Sequence, residues 1–297
     1  MTTRFIKHLL PAIFVICLTV PPTGAAEKLS VFVSIAPQKY FVERIGRDHV
    51  AVDVMVMPGA SPHAYEPRPG QMAALSKAAL YFAVGVPFEQ AWLSRFAAAN
   101  PAMKIVHTDR GIEKPAMPRH FHDGGKHPED HAEDGGADPH VWLSPALVKI
   151  QVAAIAGALK DADPARAAAY QANADAFISE IDALDRELAA LFTGAAGSRF
   201  LVFHPSWGYF ARAYGLVQVP VEIEGKEPKP AQLQDLIEFA REHRITVVLV
   251  SPQFSSRSAQ VLAREIGGTV AAADPLAQNW PDNLRSVART IREALKP

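Results

Sequence analysis

Short apolar runs alternate with longer amphipathic segments over most of this chain. Apolar runs of roughly four to eight residues, rich in β-branched side chains, are typical of buried strands, and helical patterns between them indicate a parallel sheet. The first half has four such runs, at 29–35, 50–57, 79–85 and 104–109. The second half has four more, at 200–203, 219–224, 246–251 and 269–274. We therefore predict an α/β protein with two similar lobes, each built on a parallel sheet.

A longer helical pattern separates the two halves. Residues 164–192 are rich in Ala, Glu, Leu and Asp, and their apolar positions follow helical spacing. Asp163, followed by Pro164, is typical of a helix start, and Gly194 is typical of a helix end. About 29 residues at about 1.5 Å each give roughly 43 Å, enough to run the length of two lobes. We interpret this segment as a rigid helix that connects the lobes, with a surface helix of one lobe as the alternative.

The first 26 residues differ from the rest of the chain. Arg4 and Lys7 precede an almost wholly apolar run at 9–20, and small residues at 24–26 provide a cleavage site. The run is too short to span a bilayer comfortably, and this arrangement is typical of a secretory signal peptide. We therefore expect a soluble mature protein in the periplasm. The predicted divisions are a signal peptide at 1–26, an N-terminal lobe at 27–160, a connecting helix at 161–194 and a C-terminal lobe at 195–297.

Charge and cysteine content narrow the possible functions. The formal net charge of the 297 residues is −1, so we expect no basic surface that recruits nucleic acid. The one cysteine, Cys17, lies in the apolar run of the signal segment. A mature chain without cysteine has neither a disulfide nor a thiolate metal site. Any metal ion would therefore be held by nitrogen and oxygen ligands.

Four residues are candidate metal ligands: His63, His140, His204 and Asp274. At least three of them follow predicted strands, whereas His140 lies just before a predicted helix. The carboxyl ends of parallel strands form the ligand crevice of open α/β sheets, so residues from both halves can meet between the lobes. Three imidazoles and one carboxylate complete a tetrahedral Zn²⁺ shell. A proline flanks each candidate and restricts its backbone before metal arrives. Their separations of 77, 64 and 70 residues match no short zinc motif, so a structural, hydrogen-bonded role for each stays open.

The segment 118–137 is rich in histidine, acid and glycine and has almost no apolar residues. It cannot bury enough surface to fold alone, so we predict a mobile loop. Its histidines are candidates for weak, auxiliary metal binding: His120, His122, His127 and His131. The alternative is a solvated polar loop that binds metal only incidentally.

Five motifs in order give the chain a family resemblance: PHAYEPRPGQM, DPHVWLSP, FHPSWGYFARAYGL, EIEGKEPKPAQL and ADPLAQNW. Together they resemble the zinc- and manganese-binding periplasmic solute-binding proteins of ABC importers, known as cluster A-I. The resemblance implies two (β/α)4 lobes joined by a long helix, with the metal between them. It maps His63 and His140 to one lobe, and His204 and Asp274 to the other. Manganese-type relatives commonly have Glu where this chain has His204, which favours Zn²⁺ as cargo, with Mn²⁺ as the alternative.

The resemblance also implies a non-enzymatic monomer that delivers its ion to the membrane permease of an importer. An exported zinc hydrolase is the alternative of a different class, since three histidines with an open fourth position can activate water. The chain has neither an HExxH helix nor a G-x-S-x-G elbow. A surface adhesin that merely contains metal is a third possibility.

Residues around the ligands are candidates for supporting roles. Asp138 and Glu66 are possible acceptors for a ligand imidazole N–H. The charged segment 222–227 has either a role near the site or the role of a solvated turn. Because histidines must be neutral to bind metal, we expect affinity to fall steeply below about pH 6.

Overall fold

Two parallel sheets, one in each half of the chain, organise the computed structural model, which describes residues 27–117, 136–223, 225–254 and 257–295. The first sheet contains β1 (Leu29–Val33), β2 (Val50–Val54), β3 (Leu80–Ala83) and β4 (Lys104–His107), in the order β2-β1-β3-β4. The second contains β5 (Arg199–Val202), β6 (Val217–Pro220), β7 (Val247–Val250) and β8 (Thr269–Ala272), in the order β6-β5-β7-β8. The prediction of an α/β protein with two lobes is confirmed.

Helices fill the connections between these strands. In the described residues they are α1 (Ala36–Gly46), α2 (Pro69–Leu75), α3 (Pro87–Ala99), α4 (Pro145–Ala162), α5 (Ala167–Leu191), α6 (Gly208–Ala213), α7 (Pro230–Glu242), α8 (Arg257–Glu265) and α9 (Trp280–Ala294). Several begin with proline, whose fixed φ suits the first helical turn and whose missing N–H is not needed there. None of the described helices is both long enough and apolar enough to cross a membrane.

The strands end earlier than the apolar runs predicted. The run at 219–224 was the largest error, because the strand there is Val217–Pro220 and the chain then turns back on itself. Ile223 and Lys226 pair as an isolated antiparallel bridge, and Gly225 takes a positive φ of 75° between them. Apolar residues just beyond several strands, including Met55, Val84 and Val221, are buried in the core although they lie outside the sheets.

One apolar core extends through both lobes. Strands β1 and β3 are buried on both faces, which explains their uninterrupted apolar sequences. The same cluster of buried residues continues through α4 and α5 to α9 and to one face of the second sheet, including Val202 and Leu249. A smaller cluster, with Leu201 and Val248, lies on the other face of that sheet together with α7 and α8.

Helix α5 contacts both lobes, as a connecting helix should, and the alternative of a surface helix of one lobe does not fit. On the N-terminal side, Asn173 Nδ2 donates to the Ile45 carbonyl over 2.9 Å. On the C-terminal side, the Tyr214 hydroxyl at the end of α6 donates to Asp185 over 2.9 Å. At 25 residues the helix is about 38 Å long, shorter than the predicted 43 Å.

The shorter length of α5 has a local cause. Asp163 does not cap the helix, because its carboxylate instead accepts hydrogen bonds from the side chains of Arg166 and Tyr170. Pro164–Arg166 form a 3-10 turn before α5 begins.

The proposed boundaries at 27–160, 161–194 and 195–297 stay predictions. The signal peptide at 1–26 and the four loop histidines lie outside the described residues, although the ends of the loop meet where Ala116 pairs with Ala137.

A buried polar network fixes the turn between β3 and α3. Glu89 is 2% exposed, and its carboxylate accepts hydrogen bonds from the backbone N–H groups of Val84 and Gly85 and from the Ser34 hydroxyl. Beside it, the Phe88 N–H donates to the Pro62 carbonyl over 3.1 Å, which ties the loop that follows β2 to this turn. Burial raises the pKa of Glu89 from 4.5 to about 7.

We expect the free energy of unfolding to depend on pH because Glu89 ionises at a higher pH in the folded protein than in the unfolded one. Between pH 4.5 and 7 the folded carboxyl holds a proton that the unfolded one has lost, so stability falls as pH rises through this window. Glu89→Gln cannot ionise, so its stability relative to wild type should improve by up to about 3 kcal/mol from pH 4.5 to pH 8. Urea unfolding across this range measures the difference. Glu113→Gln, an exposed control, should run parallel to wild type, and the same parallel course for Glu89→Gln would contradict the raised pKa.

Candidate metal centre

Three histidines from two lobes converge on one point. His63 and His140 belong to the N-terminal half and His204 to the C-terminal half, and one ring nitrogen of each lies within 4.8 Å of the others. The Nε2 atoms of His63 and His204 are 3.1 Å apart. A tetrahedral Zn²⁺ with bonds of about 2.0–2.1 Å needs ligand nitrogens about 3.3–3.4 Å apart. The spacing of this pair across the cleft is therefore close to that of two ligands on one ion.

Local backbone structure presents each histidine. His204 lies two residues beyond β5, at the carboxyl edge of the second sheet. His140 lies directly before a 3-10 turn, Val141–Leu143, which leads into α4. His63 lies in the loop between β2 and α2, whose Pro62 carbonyl is held by α3. The sequence prediction that strand ends carry the site therefore describes His204 best, whereas His63 and His140 stand on longer connections.

Two of the histidines are paired with buried carboxylates. His140 Nδ1 lies 2.7 Å from Asp138 Oδ1, and His204 Nδ1 lies 2.7 Å from Glu222 Oε1. All four residues are buried, with exposures of 2% to 6%. A neutral imidazole that donates from Nδ1 has its lone pair on Nε2. The carboxylates therefore select the tautomer in which Nε2 can bind an ion.

The supporting residues differ in part from those expected. Asp138 is an imidazole partner, as the sequence suggested, but Glu66 is exposed to solvent. The interpretation of 222–227 as a solvated turn is wrong for Glu222, which is buried. Its other oxygen, Oε2, is also buried and accepts no hydrogen bond from the residues that the structure describes. A buried carboxylate oxygen without a donor makes this side of the site favourable for a cation.

Burial favours the neutral form of two of the histidines, His63 and His140. It lowers the pKa of His63 to about 3, and the neighbouring His204 and His140 lower it further by electrostatic repulsion. Burial also lowers the pKa of His140, although Asp138 acts in the opposite direction. Protons compete with metal only near and below the pKa of a ligand. The expected steep loss of affinity below about pH 6 therefore does not follow for these two residues.

Asp274, the predicted fourth ligand, lies two residues beyond β8 but outside the group of three histidines. Its Oδ1 accepts hydrogen bonds from Gln253 Nε2 and from the Leu276 N–H, each over 2.9 Å. These two bonds, both from described residues, hold Oδ1 of the carboxylate in place. Coordination by Asp274 therefore stays a prediction.

Aromatic side chains form the walls of the site. The ring of Trp142 lies beside His140, with 5.2 Å between the ring centroids. Phe254 stacks on His204, with the centroids 4.9 Å apart and the planes at 25°. Sequence reasoning missed Phe254, whose only signal is its place after β7 at the carboxyl edge of the sheet. Apolar walls exclude water and strengthen charged interactions inside the cleft.

Comparison with known proteins places this chain in a family. The family model described as zinc-uptake complex component A, periplasmic (ZnuA) matches residues 31–294. The chain belongs to the ZnuA family. This confirms the resemblance that the five sequence motifs indicated.

Individual proteins resemble this chain in sequence or in fold. The high-affinity zinc uptake system protein ZnuA of Bacillus subtilis is 30% identical over 245 residues, which cover 81% of this chain and 76% of that protein. A crystal structure of ZnuA is 44% identical, with a TM-score of 0.83, and the match covers 90% of this chain and 99% of that one. The laminin-binding protein Lmb of Streptococcus agalactiae, described as having adhesin and metal transporting activity, is 22% identical with a TM-score of 0.78. That match covers 91% of this chain and 100% of Lmb, and it concerns the fold alone.

The carboxylate of Glu222 should be required for tight metal binding. Glu222→Gln removes the charge behind His204, and loss of such a partner typically weakens metal affinity by roughly 10- to 100-fold. Competition against a zinc chelator measures the change. Glu227→Gln, an exposed residue of the same segment, is the matched control and should bind like wild type. Equal affinity of both variants would mean that the hydrogen bond to His204 does not support the site.

Proposed function

We propose that this chain captures Zn²⁺ in the periplasm, as a monomer, and delivers it to the membrane permease of an ABC importer. The observation that carries this proposal is the meeting of His63 Nε2 and His204 Nε2 across the cleft, with His140 beside them. Buried carboxylates orient two of the three imidazoles. Such preorganisation favours tight binding because little order remains to be imposed by the ion.

The donor set favours zinc among the divalent cations. Three imidazoles with one carboxylate suit Zn²⁺, whereas Mn²⁺ prefers more oxygen ligands. Relatives named for zinc uptake support the same cargo for this chain. Mn²⁺ stays the alternative, and the identity of the metal held after isolation distinguishes the two.

A binding role explains the carboxylates better than catalysis does. A zinc hydrolase needs a general base aimed at a metal-bound water. The buried acids nearest the histidines, Asp138 and Glu222, each accept a hydrogen bond from an imidazole instead. With Asp274 as the fourth ligand, we propose a closed coordination shell that holds an ion without activating water.

Transfer to the permease must proceed without a wide hinge. The continuous core and α5 connect the lobes, so opening them far would expose apolar surface to water. We propose that metal binding moves the lobes only slightly and orders the loops around the ligands, and that the permease recognises this state.

The metal content of protein isolated from its own compartment, without added metal, tests the proposal directly. We expect about one Zn²⁺ per chain by mass spectrometry, and loss of that ion in His204→Ala. His107→Ala removes a histidine outside the cluster and should retain the metal. Manganese in place of zinc would change the cargo, and absence of any tightly held metal would contradict the transport function.

The loop histidines should contribute little to tight binding. Replacing His120, His122, His127 and His131 together by Ser should leave the Zn²⁺ affinity of the cleft within about threefold of wild type, because the cleft ligands are all outside the loop. Titration calorimetry separates the tight ion from weaker ones. A loss as large as that in His204→Ala would mean that the cleft ligands are wrongly assigned.

A further inference from the structure

Two buried tryptophans link the segments that carry His140 and Asp274. Trp142 lies two residues after His140, and Trp280 lies at the start of α9, six residues after Asp274. Trp142 is 0% exposed and Trp280 is 1% exposed. They therefore lie in the shared core, close along the chain to His140 and Asp274.

Hydrogen bonds from the two indoles cross between the lobes in opposite directions. Trp142 Nε1 donates to the Pro275 carbonyl over 2.6 Å. Trp280 Nε1 donates to the carbonyl of Trp142 over 2.7 Å. The first bond runs from Trp142 to Pro275, the residue after Asp274. The second runs from Trp280 back to Trp142. The two bonds form a reciprocal link between the two halves of the site.

Both ends of this link are held in place by their surroundings. The Trp280 ring packs edge-on against Phe41 of α1, with 5.3 Å between the centroids. Asn283, also on α9, donates to the Asp274 carbonyl over 2.8 Å. A buried indole N–H without an acceptor costs free energy, so each tryptophan is restricted to the position in which its acceptor is present. Hydrogen bonds therefore connect α9, the Asp274 segment and Trp142 with one another.

We infer that Trp142 and Trp280 are positioning residues that set the separation between the His140 and Asp274 sides of the metal site. The inference rests on the proposed function and goes beyond the ligands themselves. A cleft of fixed width suits a small coordination shell, whereas a loosened one admits water and a higher coordination number. The two indole N–H groups thereby favour four-coordinate Zn²⁺ over ions that require more ligands.

Phenylalanine substitutions test this inference, because they remove the N–H donor and keep an aromatic ring in the core. Trp142→Phe and Trp280→Phe should each weaken Zn²⁺ binding about tenfold, the effect of losing support behind a ligand. With Co²⁺ as a spectroscopic probe, their visible absorption should lose intensity, as four-coordinate sites gain ligands. Trp92→Phe, on α3 and outside the link, is the control and should match wild type in both measurements.

A double-mutant cycle distinguishes positioning from general stability. If Trp142 acts through the Asp274 side, the double variant Trp142→Phe, Asp274→Ala should lose less binding free energy than the two single variants lose together. Fully additive losses would overturn the inference, and so would tryptophan variants that lower the unfolding midpoint while keeping wild-type affinity and Co²⁺ spectrum.

His204→Ala in the same series separates this inference from the proposed function. If wild type binds no metal, or if His204→Ala binds it as tightly as wild type, the proposed function fails. If His204→Ala loses the metal while both tryptophan variants behave like wild type, only the positioning role fails.

Discussion

The hydrogen bonds from His140 to Asp138 and from His204 to Glu222 determine which ring nitrogens face the space between the lobes. With Nδ1 as the donor, both Nε2 lone pairs point into the cleft, and metal binding needs no change of tautomer. The geometry around the site follows from keeping these pairs buried and aligned. The sheet edge presents His204, the 3-10 turn presents His140, and aromatic rings exclude water from both.

The two sheets supply the frame for this arrangement. Both have the same strand order, so each presents its carboxyl edge in a similar way. The core that runs through α4, α5 and α9 then holds the two edges near one another. Binding energy can thus go into the metal bonds, because the protein has already fixed the orientation of its ligands.

Much of this could be predicted from sequence, and the remainder depended on pairing between distant residues. The eight apolar runs identified the strands, and DPH placed Asp138 two residues from His140, close enough for a local pair. Glu222 is 18 residues from its partner, and their contact follows from strand register. Val202 pairs with Pro220, so the residues two positions beyond, His204 and Glu222, come side by side. No composition or periodicity shows that register. Phe254 was missed for the same reason, since stacking on His204 depends on how β7 lies beside β5.

The shared core has a consequence for how the chain folds. The N-terminal sheet, α5 and α9 contribute to one apolar cluster, so neither lobe has a complete interior of its own. In a chain truncated after α5, the apolar surface that packs against α9 would be exposed to water, including the side chains around Trp280. The two halves repeat the same strand order, yet they share one interior, and helix α9 of the second half completes the apolar core of the first half.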